Sequence, residues 1–383
     1  MSHGAARTHV TVLILIDALG WEIVRRFGFC RDLLPHAGVT DTVLGYSSAA
    51  IPSLLSGQPP SSHGIWAMYR YDPDGSPFKV FRYLPRLPHA LEWRARAATR
   101  WALRKRNTIR GYYDLYEIPL DVLGNFDVAH HGDPYQPGGL SRQTLFDDLV
   151  GRGVRYRLWN YRTPEASNFS ALQDAISGDA EVLFFYTPEL DALMHHVGIF
   201  HEQVGSKLES YEAQVRALLR RAEQAGKTVS VYLFSDHGMT DVHEVVDLMA
   251  AVGEWGYGPG GEVLAFYDST MARFWCRGET RRGLVERLSA TGWGHVVSES
   301  ELERFGCRFE DCSYGDVIFL LSPGHLIIPS FMGRVPLAAM HGYHPDDRYS
   351  KGCFMTNVNR ARLPGSILEL RNYFLDAIGR GAQ

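Results

Sequence analysis

Three stretches of this chain run a block of β-branched and aromatic residues up to an aspartate: VTVLILID at 10–17, AEVLFFYTPELD at 180–191 and TVSVYLFSDHGM at 228–239. Blocks that are apolar at nearly every position suit strands covered on both faces. Between them lie helical patterns: WEIVRRFGF after Gly20, TLFDDLVGRG at 144–153, and the long amphipathic HEQVGSKLESYEAQVRALLRRAEQAGK with its glycine stop. VRYRLWNY reads as a further strand. Strands alternating with helices predict an α/β fold, a central mostly parallel sheet flanked by helices on both faces. Chemistry in such sheets sits beyond the C-terminal strand ends. The three blocks are expected to end in Asp at that edge.

Two stretches, about 65–140 and about 258–338, break the alternation and are expected as cap insertions on one domain spanning 1–383. Within the first, residues 79–110 hold ten Lys/Arg against one Glu, with Trp93, Ala97 and Trp101 at helical spacing. The expectation is a cap helix that packs its tryptophans on the core and leaves a solvated basic face. An anion-gathering lid, a membrane-surface helix and a nucleic-acid contact are the other readings. The net charge of −4 gives no overall pull toward nucleic acid, which is not expected as a partner. Five cysteines without a C-x-x-C pair favour neither a disulfide framework nor a zinc ribbon, and point to a reducing cytoplasm. The apolar run near the N-terminus breaks at Asp17, so it reads as a strand and not a signal peptide. No stretch approaches the ~18 apolar residues of a membrane span. Oligomeric state is left open.

Several segments carry candidate ligands. Asp191 and His195 are spaced i, i+4, which on a helix places them on one side. Asp236 and His237 adjoin, with Gly238 allowing the chain to break from its strand. MHGYHPDD offers His341 and His344. Each alone reads as a polar turn or helix face, and AHHGDP at 129–134 reads as a polar loop, with a further metal site reaching the pocket from the cap as its alternative. Together Asp17, Asp191, Asp236, His195, His237 and His341 make six hard or borderline ligands, enough with Ser47 for two divalent ions clamping a phosphoryl group. Ser47 opens the apolar segment SSAAIPSLLSG. A serine there either caps a helix or meets an anion at its positive end.

In this order the segments resemble the alkaline phosphatase superfamily, and within it the nucleotide pyrophosphatase/phosphodiesterase branch. Aligning Ser56-Gly57 and PPSSHGI with that branch puts its nucleophile on Ser47; Asp17, D-x-x-x-H, SDHGM and a late HGY follow the family's order. The resemblance implies one ion held by Asp191, His195 and His341, and another by Asp17, Ser47, Asp236 and His237. Zinc is the expected metal, and manganese suits the same ligands. It further implies a phosphoric ester hydrolase acting through a phosphoseryl intermediate on a small phosphorylated, nucleotide-like substrate. One position departs: where the branch usually has an asparagine contacting phosphoryl oxygen, this chain has Met68, which cannot donate a hydrogen bond. Tyr69 and Arg70 are therefore candidate substrate contacts, as is Arg273 in DSTMARFW. A phosphomonoesterase or phosphotransferase is the first alternative, and a non-catalytic metal- or anion-binding protein the second. No arginine follows the nucleophile as sulfatases require. The D-x-D of haloacid-dehalogenase phosphatases is absent at Leu19, and no G-x-G-x-x-G or Walker A loop follows the first strand.

Overall fold

The computed structural model describes residues 9–83, 89–106, 109–258 and 261–381. The first apolar block forms β1 (His9–Ile16), and its alternation divides the interior. Val10, Val12, Ile14 and Ile16 enter one core, and Leu13 and Leu15 the other. The six-stranded sheet runs in the order β2 (His36–Thr40), the strand Gly352–Thr356, β7 (Thr228–Phe234), β1, β6 (Val182–Thr187), β5 (Tyr156–Trp159). From β7 to β5 the neighbours are parallel, and Gly352–Thr356 pairs antiparallel with both β7 and β2.

Helices cover both faces. On one lie α1 (Trp21–Phe27), α7 (Glu165–Ala175), α8 (Glu189–Val197) and α9 (Glu202–Gln224). The buried residues of α9 (Val204, Leu208, Tyr211, Val215, Leu218 and Ala222) step by four and three, the stripe of a helix packed on a sheet. On the other face lie α2 (Ser47–Ser56), α6 (Leu145–Gly151) and the C-terminal helix Leu370–Gly381. A capping box between Thr144 and Asp147 starts α6.

The two expected insertions share one apolar core. The first contributes α3 (Pro60–His63) at its border, α4 (His89–Arg106), α5 (Leu120–Leu123) and the pair β3 (Tyr69–Tyr71) and β4 (Phe126–Val128). The second contributes an antiparallel sheet in the order 264–267, 271–275, 317–321, 294–296. Tyr69, Phe78 and Phe126 from the first pack with Phe266, Phe274 and Phe319 from the second. The rings of Phe126 and Phe266 cross edge to face with centroids 4.9 Å apart.

The expectation that α4 turns its tryptophans inward fails at Trp101, which is 65% exposed; the side chain of Trp93 lies outside the described residues. The inner side of α4 carries Leu103 and Arg96 instead. The Arg96 guanidinium donates to the carbonyls of Leu115, Tyr116 and Ile118. These loop carbonyls fix the rotation of the helix, because stripping the Arg96 guanidinium from them in the interior would cost more than leaving one indole in water.

Candidate functional site

The strands β7, β1 and β6 lie side by side, and the residues leaving their C-terminal ends converge. Asp17 directly follows β1. Its neighbour Ala18 adopts a left-handed conformation (φ 58°) that few non-glycine residues hold, and donates its N–H to Asp236 Oδ1 at 3.3 Å. Asp236 and His237 leave β7, and Gly238 is required there: a Cβ would stand 2.1 Å from the Tyr349 carbonyl oxygen. The third expectation needs correction. β6 ends at Thr187, and Asp191 lies in the first turn of α8, not at a strand end. Pro188 cannot continue the ladder and takes the N-cap position, so the chain turns into the helix at once. That makes the i, i+4 relation physical: His195 Nε2 lies 3.3 Å from Asp191 Oδ2.

Ser47 is the first residue of α2, but it does not cap it. The N-cap position is Tyr46, with no side-chain cap bond. The Ser47 hydroxyl lies 2.8 Å from His237 Nε2 and 3.4 Å from Asp17 Oδ1. His341 follows the short strand Ala339–Met340 and stacks on His237, with centroids 4.1 Å apart and planes at 17°. Two ligand groups result, Asp191/His195/His341 and Asp17/Asp236/His237, within each of which the donor atoms lie within 4.8 Å of one another.

A surrounding layer of hydrogen bonds aims these donors. Tyr186 donates to Asp17 Oδ2 at 2.6 Å. The N–H groups of Ala18 and His237 both reach Asp236 Oδ1. His237 Nδ1 lies 2.9 Å from the Gly238 carbonyl and His195 Nδ1 lies 2.8 Å from that of Ala339. A carbonyl only accepts, so Nδ1 carries a proton in both rings. A neutral ring then presents its Nε2 lone pair inward, while a protonated His195 donates from Nε2 to Asp191, which, against the lowering effect of burial, raises the imidazole's own value. What remains is a set of buried atoms without a hydrogen-bond partner, Asp191 Oδ1, Asp236 Oδ2 and His341 Nδ1, of which the two oxygens face the Nε2 atoms of His341 and His237 at 3.4 and 3.2 Å. Burial, then the charges of Asp236 and Asp191, push the Asp17 carboxyl well above its ordinary range. Burial likewise raises Asp236 and, with His237 beside it, drives His341 well below its ordinary value. Burial works to raise Asp191, but His195, His341 and His237 outweigh it and hold that carboxyl at about 2. Two buried carboxylates and a half-buried third, with imidazole nitrogens facing them, are chemistry suited to divalent cations.

Tyr186 reads in the sequence as one more apolar strand residue, and His130 as part of a polar loop or a further metal ligand; its contact here is instead to a backbone carbonyl. Pro52, inside α2, has no N–H for the carbonyl of Ser48 four residues back. The Nε2 of His130, reaching in from the cap, lies 2.9 Å from that carbonyl and occupies the vacancy. A cavity of about 440 Å³ adjoins Tyr186, lined among others by Asn160, Tyr161, Glu165, Asn168 and Glu189.

The candidate substrate contacts fare differently. Arg273 has no exposed surface; its Nε donates to Asp268 Oδ2 and its Nη1 to the carbonyl of Tyr69, both at 2.8 Å. Tyr69 is equally buried and donates its hydroxyl to the Asp114 carbonyl at 2.6 Å. Both side chains belong to the cap core and are not brought to the ligand cluster. Arg70 is half exposed and bridges Asp72 and Asp127 at 3.4 and 3.3 Å. Met68 packs against the cap core.

Residues 11–289 match the family described as type I phosphodiesterase / nucleotide pyrophosphatase. Among solved structures, murine ectonucleotide pyrophosphatase/phosphodiesterase 5 superposes with a TM-score of 0.68 at 14% identity, over 98% of this chain and 95% of that one. An inactive threonine-to-alanine variant of the murine protein, in complex with AMP, gives 0.68 and 14% over 97% and 95%. The human counterpart gives 0.68 at 12% identity over 98% and 95%. No curated protein matches the sequence.

Proposed function

The chain belongs to the type I phosphodiesterase / nucleotide pyrophosphatase family of the alkaline phosphatase superfamily, and from that premise we propose that it hydrolyses phosphoric diesters or pyrophosphates through Ser47. One observation carries the reading: the Ser47 hydroxyl, at the N-terminus of α2, turns away from capping the helix and toward His237 and Asp17. In this reading Asp191, His195 and His341 hold one divalent cation, and Asp17, Asp236, His237 and Ser47 the other. Zinc or manganese bound there would supply Lewis-acid polarisation of the phosphoryl group.

The protein's own part is nucleophile, orientation and charge. The Ser47 oxygen attacks phosphorus; its bond to phosphorus forms as the bond to the leaving oxygen breaks, and the leaving group departs with a proton. Water then attacks the phosphoseryl phosphorus, the Ser47 oxygen leaves, and the serine recovers its proton. The positive N-terminal end of α2, where Ser47 and Ser48 precede the Ala49 and Ala50 N–H groups bonded to the Tyr46 carbonyl, favours the phosphoryl anion through both steps. The murine variant's complex with AMP supports a nucleotide-like substrate here. A monoester substrate is the second reading, favoured by Met68, which offers no donor to a diester's phosphoryl oxygen. All five cysteines are free, which supports a reducing, cytoplasmic compartment.

The test is hydrolysis of bis-p-nitrophenyl phosphate beside p-nitrophenyl phosphate by zinc-loaded wild type and Ser47→Ala. Diester preference, abolished in a folded Ser47→Ala protein, is the expected result. Full activity in the variant would remove Ser47 as nucleophile, and monoester preference would make the second reading the right one.

A further inference from the structure

The α4 helix has two faces of opposite character. Arg96 and Leu103 are buried, and Thr99 and Arg100 are half-buried beside them, with Arg100 paired to Asp114 at 3.1 Å. On the far side Arg94, Ala97, Ala98, Trp101 and Lys105 are all exposed. At 100° per residue these five occupy one stripe about 100° wide, directly opposite the buried set. Alanines flank the indole on its N-terminal side, so it stands proud of the surface, and Lys105 Nζ lies 5.0 Å from the centre of its ring. Ahead of α4 in the sequence, the turn Lys79–Tyr83 leaves Lys79, Val80 and Tyr83 exposed, the last two at 57% and 80%. Residues 79–110 carry nine net positive charges in a chain whose total is −4.

We propose that this face of the cap docks the protein on a membrane surface rich in anionic phospholipid. The argument is one of matched chemistry. An exposed Trp between basic side chains suits the headgroup boundary, where the ring lies among glycerol and upper acyl groups while Lys and Arg ends stay in water. The concentration of positive charge in an otherwise acidic chain supplies the attraction to phosphatidylglycerol or phosphatidylserine, and orients the cap toward the lipid. The hydrogen bonds of Arg96 to three loop carbonyls hold the helix so that this stripe, and not its opposite, faces outward. A nucleic-acid partner is less well matched: among the described residues the α4 stripe offers no hydroxyl or amide side chain to read a base, and its one indole beside two alanines forms a wedge more than a stacking groove.

Co-sedimentation with vesicles of phosphatidylcholine containing phosphatidylglycerol, beside vesicles of phosphatidylcholine alone, tests this without reference to hydrolysis. The full chain is expected to bind the anionic vesicles only, and to release as salt is raised. Trp101→Ala and Lys105→Glu, both at exposed positions, should each weaken binding by about fivefold or more. Their melting temperature and their hydrolysis of a soluble ester should stay unchanged. No binding to anionic vesicles, binding of both vesicles alike, or binding that survives both substitutions would overturn the proposal. So would tighter binding of a single-stranded RNA oligonucleotide than of the vesicles, lost in the same variants.

Discussion

The hydroxyl of Tyr186, the fifth residue of β6, donates to Oδ2 of Asp17, the residue that follows β1, across 2.6 Å in the interior between neighbouring strands. The bond leaves Asp17 Oδ1 turned toward Ser47 and His237, at 3.4 and 3.5 Å. Tyr186 therefore aims a ligand without being one. Tyr186→Phe keeps the ring stacked on Tyr135 and removes only the donor. Outer-layer partners of metal ligands typically contribute 10- to 100-fold to affinity, so zinc binding followed by calorimetry should weaken by roughly that factor. An unchanged affinity would show that the strand geometry alone aims Asp17.

His130 and Pro52 should behave as a coupled pair. His130→Phe strands the Ser48 carbonyl in the interior next to the nucleophile, and is expected to cost about 1–3 kcal/mol in urea unfolding. Pro52→Ala returns the missing backbone N–H, so in that background the same histidine substitution should cost distinctly less. Additive effects in the four-member cycle would mean that His130 does not serve the vacancy left by proline.

This pairing also shows why part of the site escaped the sequence. Asp17, Asp236 and His237 were legible because each adjoins a strongly apolar strand, and chemistry at strand ends is a rule of parallel sheets. Asp191 reads both as the end of a strand block and as the helical partner of His195; only the second holds, since the block runs on through Pro188 and nothing in hydrophobicity marks where β6 stops. Tyr186 and His130 act through partners fixed only by folding: a carboxylate on another strand, and a carbonyl freed by a proline. The orientation of α4 is hidden for a similar reason. Periodicity locates a stripe of tryptophan and alanine, but the loop carbonyls that capture Arg96 decide which stripe faces inward.

Stability should fall between pH 6.5 and about 4 through two buried histidines. Burial, reinforced by His130 nearby, lowers His63 to about 3, and burial lowers His130 to about 4 despite the Ser48 carbonyl and Asp133. His63 is held neutral by geometry: its Nδ1 accepts from the Ile65 N–H, and its Nε2 lies 2.9 Å from Ser53 Oγ. Because both folded values lie below 6.5, the unfolded chain takes up protons first as pH drops, and stability present above 6.5 is lost progressively toward the folded values. The loss is on the order of 3 kcal/mol per histidine. Comparing wild type with His63→Gln in urea at pH 7 and pH 4.5 isolates the contribution; the variant should lose less on acidification, and equal losses would assign the acid sensitivity elsewhere.

Arg273 and Asp268 separate a cap-core role from a substrate-contact role. The guanidinium is fully buried over Phe266, at 4.5 Å from its ring centre, and its bonds to Asp268 and the Tyr69 carbonyl join the strand pair 264–267/271–275 to β3. Burial already pushes the Asp268 carboxyl up, with Arg273 opposing it. Arg273→Met leaves that carboxylate without its partner and should destabilise the protein by about 3–5 kcal/mol. Adding Asp268→Asn removes the stranded charge, so the double variant should recover part of the loss. If the residue serves only to hold the cap together, the double variant, assayed well below its melting temperature, keeps the wild-type KM for a diester substrate. A KM raised tenfold in a double variant of restored stability would instead place Arg273 in contact with substrate, and would require the cap to open far enough to expose a side chain now wholly enclosed.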